Sequence, residues 1–395
     1  MNSNNHYDVI FVGGGIMGCA TAYNLLKRDA QLKILIVERD STYEKASTTL
    51  SDGNTRIQFN LKTNIEMSRY GLEVLATFAE EFATADHTPD IAFRQQGNLY
   101  LVDEAAYDFA RKGLAQQQSM GCDVVWLERD DIERHYPLYK LTDDVVGATF
   151  GRKDGTMSPL DVLLAYRHKA VELGATILEA EVARLLKTDN QMTGIQLASG
   201  DIYHSNIIFN VTGAWAPILA QQVGVELPIS PIKRQVYSVQ IDRHIDGILP
   251  MFLLPNGQFI FHEGGTTYIT GGALPDDPAS YTDFSWYQDR FEERLWEHLV
   301  AYLPDFDRLR VTTGWAGLYA VNTFDHNAIL GEWPTVKGYY CANGFSGHGF
   351  QQCHAVGRYL AEMVLGLPHE LDLSIFAASR ILESKPVFEN PSRLI

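Results

Sequence analysis

Apolar and polar positions near the start of the chain follow first the period of a strand and then that of a helix. Residues 9–12 form a continuous apolar run, which is typical of a buried strand. From residue 16 to residue 28 the apolar positions recur at helical spacing, and a second buried run, 34–37, ends at Glu38. The pattern therefore predicts a strand, a helix and a second strand.

Three glycines, Gly13, Gly15 and Gly18, join the first strand to the helix with the spacing G-x-G-x-x-G. The first allows a tight turn, the second lets a pyrophosphate approach the backbone, and the third lets the helix pack on the strands. The helix N-terminus offers unpaired N–H groups to phosphates, and Glu38 can accept both hydroxyls of an adenosine ribose. The whole pattern indicates a dinucleotide site; the alternative is a glycine-rich turn without a ligand, which the acid at position 38 disfavours.

Two similar units recur along the chain. A buried run at 207–211 leads into Thr212-Gly-Ala-Trp215 and an apolar helix, and a run at 339–342 leads into a glycine-rich turn, 343–350, and a helix at 351–365. Residues 235–320 between them are rich in strand patterns, except for a long charged helix predicted at 283–303. Because dinucleotide-type units alternate with β-rich material, two interleaved domains fit better than two consecutive ones.

Composition and charge limit the partners and the compartment. A chain of 395 residues exceeds what one core usually supports, and a net charge of −17 argues against binding to nucleic acid or anionic membranes. No run of about 18 apolar residues predicts a transmembrane helix, and the first residues lack the features of a signal peptide. We therefore expect a cytoplasmic protein, with buried free thiols at Cys19, Cys122, Cys341 and Cys353.

Four separated pieces together resemble the D-amino-acid oxidase superfamily, in the branch of sarcosine oxidase, glycine oxidase and the FOXRED-type flavoproteins. They are residues 12–18 with Glu38, Gly53-Asn-Thr-Arg56, Thr212-Gly-Ala-Trp215 and residues 344–350. The resemblance implies an α/β protein, in which a Rossmann-type FAD-binding domain of the glutathione-reductase kind is interleaved with a β-sheet-rich α+β substrate domain. The expected domains are 1–85, 140–222 and 321–395 for FAD, and 86–139 and 223–320 for the substrate.

The same resemblance implies FAD in an extended pose. Its expected binding residues are Gly13, Gly15, Ile16, Met17, Gly18, Glu38, Arg39, Ser47, Thr48, Thr49, Val182, Thr212, Gly213, Trp215, Gly317, Gly344, Phe345, Ser346, Gly347, His348, Gly349, Phe350 and Gln351. A glycine-rich turn opening a helix near Gly347 would place positive potential beside the isoalloxazine. The alternatives are an ordinary helix-capping loop at 344–349 and a solvated loop around Ser47–Thr49.

Four residues are candidates for catalysis. By position in the family, Arg56 lies next to the flavin and tunes its surroundings, and Gln351 follows the glycine-rich turn. His348 either faces the substrate or merely packs against its neighbours. Tyr319 either contacts the substrate or belongs to the core. A bidentate arginine suits a substrate carboxylate. Arg234 is a further candidate for that task, and a structural salt bridge is the alternative.

Three departures from the family affect these expectations. Gly317 stands where sarcosine oxidases attach FAD through a cysteine, so we expect non-covalent FAD. Gln351 replaces a substrate-binding lysine, and no lysine occurs at 268–270, where the family's oxygen-activating lysine falls. The second and third departures leave the identity of the substrate open. They also leave open whether the electron acceptor is dioxygen or a quinone or electron-transfer protein.

The leading functional hypothesis is oxidation of the C–N bond of an amino acid or N-alkyl amino acid to an imine, by hydride transfer to flavin. The alternatives are oxidation of a 2-hydroxy acid or glycerol phosphate on the same fold, a non-catalytic flavoprotein acting in assembly or binding, and an NAD-dependent Rossmann enzyme.

Overall fold

Strands and helices alternate along the part of the chain that the computed structural model describes, residues 5–389. The strands are β1 (Val9–Val12), β2 (Ile34–Glu38), β3 (Asn54–Thr55), β4 (Asn98–Asp103), β5 (Val124–Glu128), β6 (Val145–Gly151), β7 (Gly155–Thr156), β8 (Thr176–Glu179), β9 (Val182–Thr188), β10 (Gln191–Leu197), β11 (Ile202–His204), β12 (Ile208–Asn210), β13 (Ile229–Ile245), β14 (Met251–Leu253), β15 (Phe259–Gly271), β16 (Arg310–Asn322), β17 (Ile329–Glu332) and β18 (Tyr339–Asn343).

The helices connect these strands or cover their faces. They are α1 (Ile16–Arg28), α2 (Lys62–Ala76), α3 (Phe78–Glu81), α4 (Tyr107–Ser119), α5 (Arg129–His135), α6 (Pro159–Glu172), α7 (Ala216–Ala220), α8 (Gln288–Arg294), α9 (Trp296–Tyr302), α10 (Gly349–Leu365) and α11 (Ser379–Leu382). None of the helices in residues 5–389 has the length and apolar character needed to cross a bilayer.

A six-stranded sheet in the described chain has the order β17-β18-β12-β1-β2-β8. Its strands are parallel except for β17, which pairs antiparallel with β18 at one edge. Val9 and Phe11 pack under α1, α6 and α10, whereas Ile10 and Val12 pack against the three-stranded sheet β11-β10-β9. Burial on both faces explains why the strand reads as a continuous apolar run. The predicted α/β fold is confirmed.

A second, seven-stranded sheet in residues 5–389 has the order β16-β13-β15-β14-β4-β6-β5. Helices α8 and α9 cover one of its faces through Phe291, Leu295 and Leu299. Strand β6 belongs to this sheet, although the predicted boundary assigns residues 140–222 to the FAD domain. The domain boundaries themselves stay a prediction.

The prediction of one long helix at 283–303 is wrong, because this range holds two short helices, α8 and α9, and its first residues are not helical. Residues before α8 are held extended, because Asp283 pairs with the buried ammonium of Lys233 at 2.5 Å and Tyr287 N donates to Gln235 Oε1 at 2.8 Å. Leu295, with φ −123°, then separates α8 from α9. Tertiary hydrogen bonds and a local break thus override the helical pattern of the sequence.

The start and the end of the chain meet in one helix pair. In α10, a Cβ at Gly357 would lie 2.8 Å from the carbonyl carbon of Ala20 in α1, so the two backbones are in near contact. Because β1, β12 and β18 run parallel, both helices begin at the same edge of the six-stranded sheet, where both glycine-rich turns lie.

Candidate functional site

The turn between β1 and α1 separates the tasks of its glycines. Gly13 has φ +109°, and a Cβ at Gly18 would lie 2.3 Å from Gly13 O, so both positions require glycine for close packing. A Cβ at Gly15 would meet no atom closer than Thr48 Oγ1 at 3.8 Å. Gly15 therefore leaves an open approach to the backbone at the N-terminus of α1, flanked by Ile16 and Met17.

The carboxylate of Glu38 lies at the same turn. Its Oε2 accepts from Gly14 N at 2.7 Å and its Oε1 accepts from Asp40 N at 3.0 Å. Each carboxylate oxygen can accept further hydrogen bonds, so the acid is oriented by the backbone and still able to bind hydroxyl groups. This position, at the end of β2, is where the sequence places it.

The second glycine turn comes to the same edge of the sheet. Gly213 has φ +59° with open space around its Cα, and Thr212 Oγ1 donates to Asn210 Oδ1 at 2.8 Å. The Trp215 ring packs 4.2 Å beneath the Arg39 guanidinium, an arrangement in which the cation and the π-system attract each other. Val182, at the start of β9, is half-buried and packs against the core beneath the sheet.

The loop at 47–49 connects the two sheets. Ser47 Oγ donates to Leu318 O at 2.7 Å, and Thr48 Oγ1 accepts from Ile16 N at 3.4 Å. Thr49 Oγ1 is buried without a hydrogen-bond partner among the described residues. Of the three hydroxyls, Thr49 Oγ1 is therefore the one left to pair with a water molecule or a bound ligand.

The turn at 344–349 lies beneath β16. Gly344, Ser346 and Gly347 have positive φ angles of 72°, 51° and 98°, and Ser346 Oγ accepts from Asn322 N at 3.0 Å. A Cβ at Gly347 would lie 2.5 Å from Tyr319 Cε2. The turn therefore presses closely on Tyr319.

Helix α10 begins at Gly349, two residues earlier than predicted, with His348 as its N-cap residue. The buried Phe345 and Phe350 flank the turn. The N–H groups at the start of this helix consequently face the same region as Tyr319.

Three of the four predicted catalytic residues contact one another. The Arg56 guanidinium donates from Nη1 to Tyr100 Oη at 2.9 Å and from Nη2 to His348 Nε2 at 3.1 Å, while Arg56 N donates to Gln351 Oε1 at 2.8 Å. Arg56 Nε is buried without a partner among residues 5–389. Tyr319, the fourth, belongs to β16 and packs against Gly347, the residue before His348.

The protonation state of His348 follows from its neighbours. Burial, and then the Arg56 guanidinium and His326, lower the pKa of His348 to about 3. A guanidinium has no acceptor, so Nε2 must accept its N–H and the neutral ring carries its proton on Nδ1. Burial and the nearby Asp52 carboxylate raise the pKa of Tyr319 to about 12. His348 and Tyr319 are therefore both neutral at pH 7.

A cavity opens beside the Arg56–His348 contact. Polar groups around Arg56 and apolar side chains of β4 and α4 both line it. Its walls include Arg56, Gln58, Phe59, Asn60, Tyr100, Val102, Ala106, Phe109, Ala110, Gln117, Thr149, Asp325, His326, His348, Phe388 and Glu389.

Sequence reasoning missed several of these residues. Tyr100 orients Arg56, and His326 lines the cavity with φ +61°, a strained conformation for a residue other than glycine. Such strain is common at functional sites. No local motif marks Tyr100, because only the pairing of β14, β4 and β6 brings it to Arg56.

Arg234 forms a structural salt bridge. Its guanidinium pairs with Asp277, a carboxylate that Arg290 also binds at 2.6 Å. Gly317, the position of the family's cysteine, lies where an added Cβ would be 3.0 Å from Leu50 Cβ. All four cysteines are buried free thiols, as expected.

Comparison with known proteins identifies the family. Residues 8–363 match the DAO family, described as FAD dependent oxidoreductase. This chain belongs to the DAO family. It is an FAD-dependent oxidoreductase related to enzymes that oxidise amino acids and N-methyl amino acids.

Similar proteins cover almost the whole of this DAO-family chain. FAD-dependent oxidoreductase domain-containing protein 1 from Bos taurus is 33% identical, over 94% of this chain and 84% of the relative. Monomeric sarcosine oxidase from Arthrobacter sp. is 25% identical, over 96% and 98% of the two chains. The structure of L-proline dehydrogenase from P. horikoshii superposes with a TM-score of 0.86 and 25% identity, over 97% and 100%.

The residues of this DAO-family site fit FAD. The open face at Gly15 suits a pyrophosphate, the oriented Glu38 suits a ribose, and the buried, unpartnered Thr49 Oγ1 needs a polar partner. The N-terminus of α10 and the Arg56 guanidinium both supply positive potential at the other end. Along this edge of the sheet, the site therefore offers an open backbone for phosphates at one end and positive potential for a bound anion at the other.

Proposed function

We propose that this enzyme oxidises the C–N bond of an amino acid or N-alkyl amino acid to an imine. The observation that carries the proposal is the buried Arg56 guanidinium, held by Tyr100 and neutral His348 on the wall of the cavity. A fixed cation in a low-dielectric cavity attracts a substrate carboxylate. The apolar walls accommodate the substrate's side chain or N-alkyl group.

In this proposal the side chains of the protein position the substrate and do not themselves react with it. His348 accepts from Arg56 Nη2 and Tyr100 accepts from Nη1, so that they set the plane of the guanidinium. Gln351, at the start of α10, fixes the Arg56 backbone. Bound FAD supplies the acceptor for the hydride that leaves the substrate carbon. Water then hydrolyses the imine.

We also propose how FAD is held and where its electrons go. The binding residues are those predicted from the sequence, with non-covalent attachment because Gly317 offers no thiol. In β15 the region of the missing lysine is represented by Ile269, in an apolar cluster with Trp315, Met251 and Phe261. The proposed acceptor is dioxygen or a quinone or electron-transfer protein.

Anaerobic mixing of the holoenzyme with a panel of amino acids tests the proposal. N-alkyl glycines, L-proline and D- and L-amino acids are mixed with the protein, and bleaching of the flavin absorbance is followed. At least one amine should reduce the flavin, and 2-hydroxy acids of matched size should not. Reduction by hydroxy acids alone, or by none of the compounds, would contradict the proposal.

A further inference from the structure

A short segment near the described end of the chain crosses the cavity. We call residues 387–389 the strap. Val387 N donates to Asp325 Oδ2 at 3.1 Å, and Val387 O accepts from Asn327 Nδ2 at 2.6 Å. Asp325 is itself held by the Arg380 guanidinium at 2.8 and 3.0 Å. The strap is thus fastened to the turn that carries His326, on the cavity wall.

A carboxylate fastens the other end of the strap. Glu389 accepts from Leu61 N at 3.1 Å, from Asn64 Nδ2 at 2.6 Å and from Asn60 N. These donors lie at the beginning of α2, where unpaired N–H groups and the helix dipole favour a negative charge. Asn64 is fixed in turn by Gln352 of α10, whose Nε2 donates to Asn64 Oδ1 at 3.1 Å. The strap is therefore joined to the turn at 325–327, to the start of α2 and, through Asn64, to α10.

The side chain between these two anchors faces the apolar part of the cavity. Phe388 lines it together with Val102, Ala106, Phe109 and Ala110. Phe388 is nevertheless 51% exposed, so its ring separates the cavity from solvent. An apolar ring in this position excludes water and limits the room that is available.

We propose that Phe388 and Glu389 form the outer wall of the substrate cavity and determine how large an apolar group the substrate can carry. The inference rests on the proposed function for the identity of this cavity as the substrate site. Phe388 supplies the surface of the wall, and Glu389 keeps it in place through α2. A substrate with its carboxylate towards Arg56 points its apolar group at this wall.

The first test measures ligand size. Acetate and 2-naphthoate are titrated into the holoenzyme, and their Kd values are obtained from changes in the flavin absorption spectrum. Phe388→Ala should bind 2-naphthoate more tightly, relative to acetate, by about tenfold or more. Leu382→Ala is the matched control, because Leu382 is 50% exposed and lies outside the cavity wall; its ratio should equal that of the wild type.

The second test concerns the anchor. Hydrogen exchange of the holoenzyme should become faster at residues 60–61 and 387–389 in Glu389→Gln, because the substitution replaces a carboxylate acceptor by a neutral amide. Glu383→Gln, which removes an exposed carboxylate paired with Lys385, should leave these amides unchanged. Unchanged exchange in Glu389→Gln, or no gain in 2-naphthoate affinity in Phe388→Ala, overturns the inference. Both readouts are independent of turnover, so failure of the amine panel alone affects only the proposed function.

Discussion

Arg56 is a buried cation whose neighbours offset the cost of its burial. Burial by itself lowers the pKa of Arg56, but Tyr100 and the carboxylates of Glu389 and Asp154 raise it above its ordinary value. The Phe59 ring lies 4.7 Å from the guanidinium and adds a cation–π contact. Arg56 therefore stays charged in a site that excludes water, where its charge acts strongly on a bound anion.

Replacing Arg56 tests whether its planar fork matters beyond its charge. Arg56→Lys keeps the cation but cannot donate to Tyr100 and His348 in the same geometry. Loss of hydrogen bonds to a charged group costs about 1.5–3 kcal/mol, so we expect the rate of flavin reduction by amine to fall by about 10- to 100-fold. Arg134→Lys, at an exposed position in α5, is the control. Equal rates in both variants would exclude an orienting role.

The neutral His348 makes stability depend on pH. In the unfolded chain a histidine takes up a proton near pH 6.5, whereas the folded protein protonates His348 only near pH 3, because burial and Arg56 lower its pKa. The stabilisation of the folded state that comes from the neutral His348 imidazole is present above pH 6.5. It is lost as the pH falls toward 3, at about 1.4 kcal/mol per pH unit.

When the pH falls from 7.5 to 5, the free energy of unfolding of His348→Gln should consequently decrease by about 2 kcal/mol less than that of the wild type. Thermal unfolding midpoints of the holoenzyme at the two pH values measure this difference. His244→Gln, at an exposed histidine, serves as control and should follow the wild type. An equal fall in midpoint for His348→Gln would contradict the assignment of a neutral buried imidazole.

At the scale of elements, the β1–α1 turn combines a packing requirement with a binding surface. Gly18 lies against the Gly13 carbonyl, while Gly15 faces open space. Gly15 has φ −68°, which any residue can adopt. Glycine at this position is therefore not required by backbone conformation or by packing among the described residues, and the open approach suits a ligand close to the backbone.

Two alanine substitutions separate these tasks. Gly15→Ala should fold with a thermal midpoint like that of the wild type for the apoprotein, but bind FAD at least about tenfold more weakly, because its methyl group occupies the approach of the pyrophosphate. Gly18→Ala should destabilise the apoprotein itself by about 1–3 kcal/mol through overpacking. Fluorescence titration with FAD and thermal unfolding distinguish them. Wild-type FAD affinity in Gly15→Ala would contradict the proposed site.

At the scale of the whole molecule, the two sheets meet where the cofactor residues lie. Trp315 Nε1 of β16 donates to Leu50 O at 3.0 Å, next to the hydroxyl loop at 47–49. The β1–α1 turn of the six-stranded sheet approaches the same loop through the Thr48 contact with Ile16. A ligand held along this edge contacts both sheets and should stabilise their association.

Release of FAD by acid tests the attachment at this scale. With Gly317 at the family's cysteine position, precipitation in trichloroacetic acid should leave the yellow colour in the supernatant and a colourless pellet. Before precipitation, excess FAD should raise the thermal midpoint of the apoprotein, since a ligand that binds only the folded state stabilises it. A yellow pellet after washing would demonstrate a covalent link and contradict the proposal.

Local sequence was sufficient for the elements whose cause is local. The glycine spacing, the buried runs and the acid at 38 predict β1, α1 and β2 correctly, because steric freedom and burial on both faces leave a periodic trace in the chain. The same holds for the turn at 344–350, whose positive φ angles at Gly344 and Gly347 require glycine. The DAO family could be inferred from four such local pieces.

Only the tertiary structure decided which side chains share the cavity. Tyr100 reaches Arg56 through sheet pairing, His326 lines the cavity on a strained turn, and Glu389 reaches α2 through the path of the strap. None of these arrangements leaves a periodic signal. The helix predicted at 283–303 was wrong for the same reason, since Lys233 and Gln235 bind its first residues from a distant strand. Motifs encode how a backbone bends and packs, whereas a cavity depends on contacts between residues far apart in the chain.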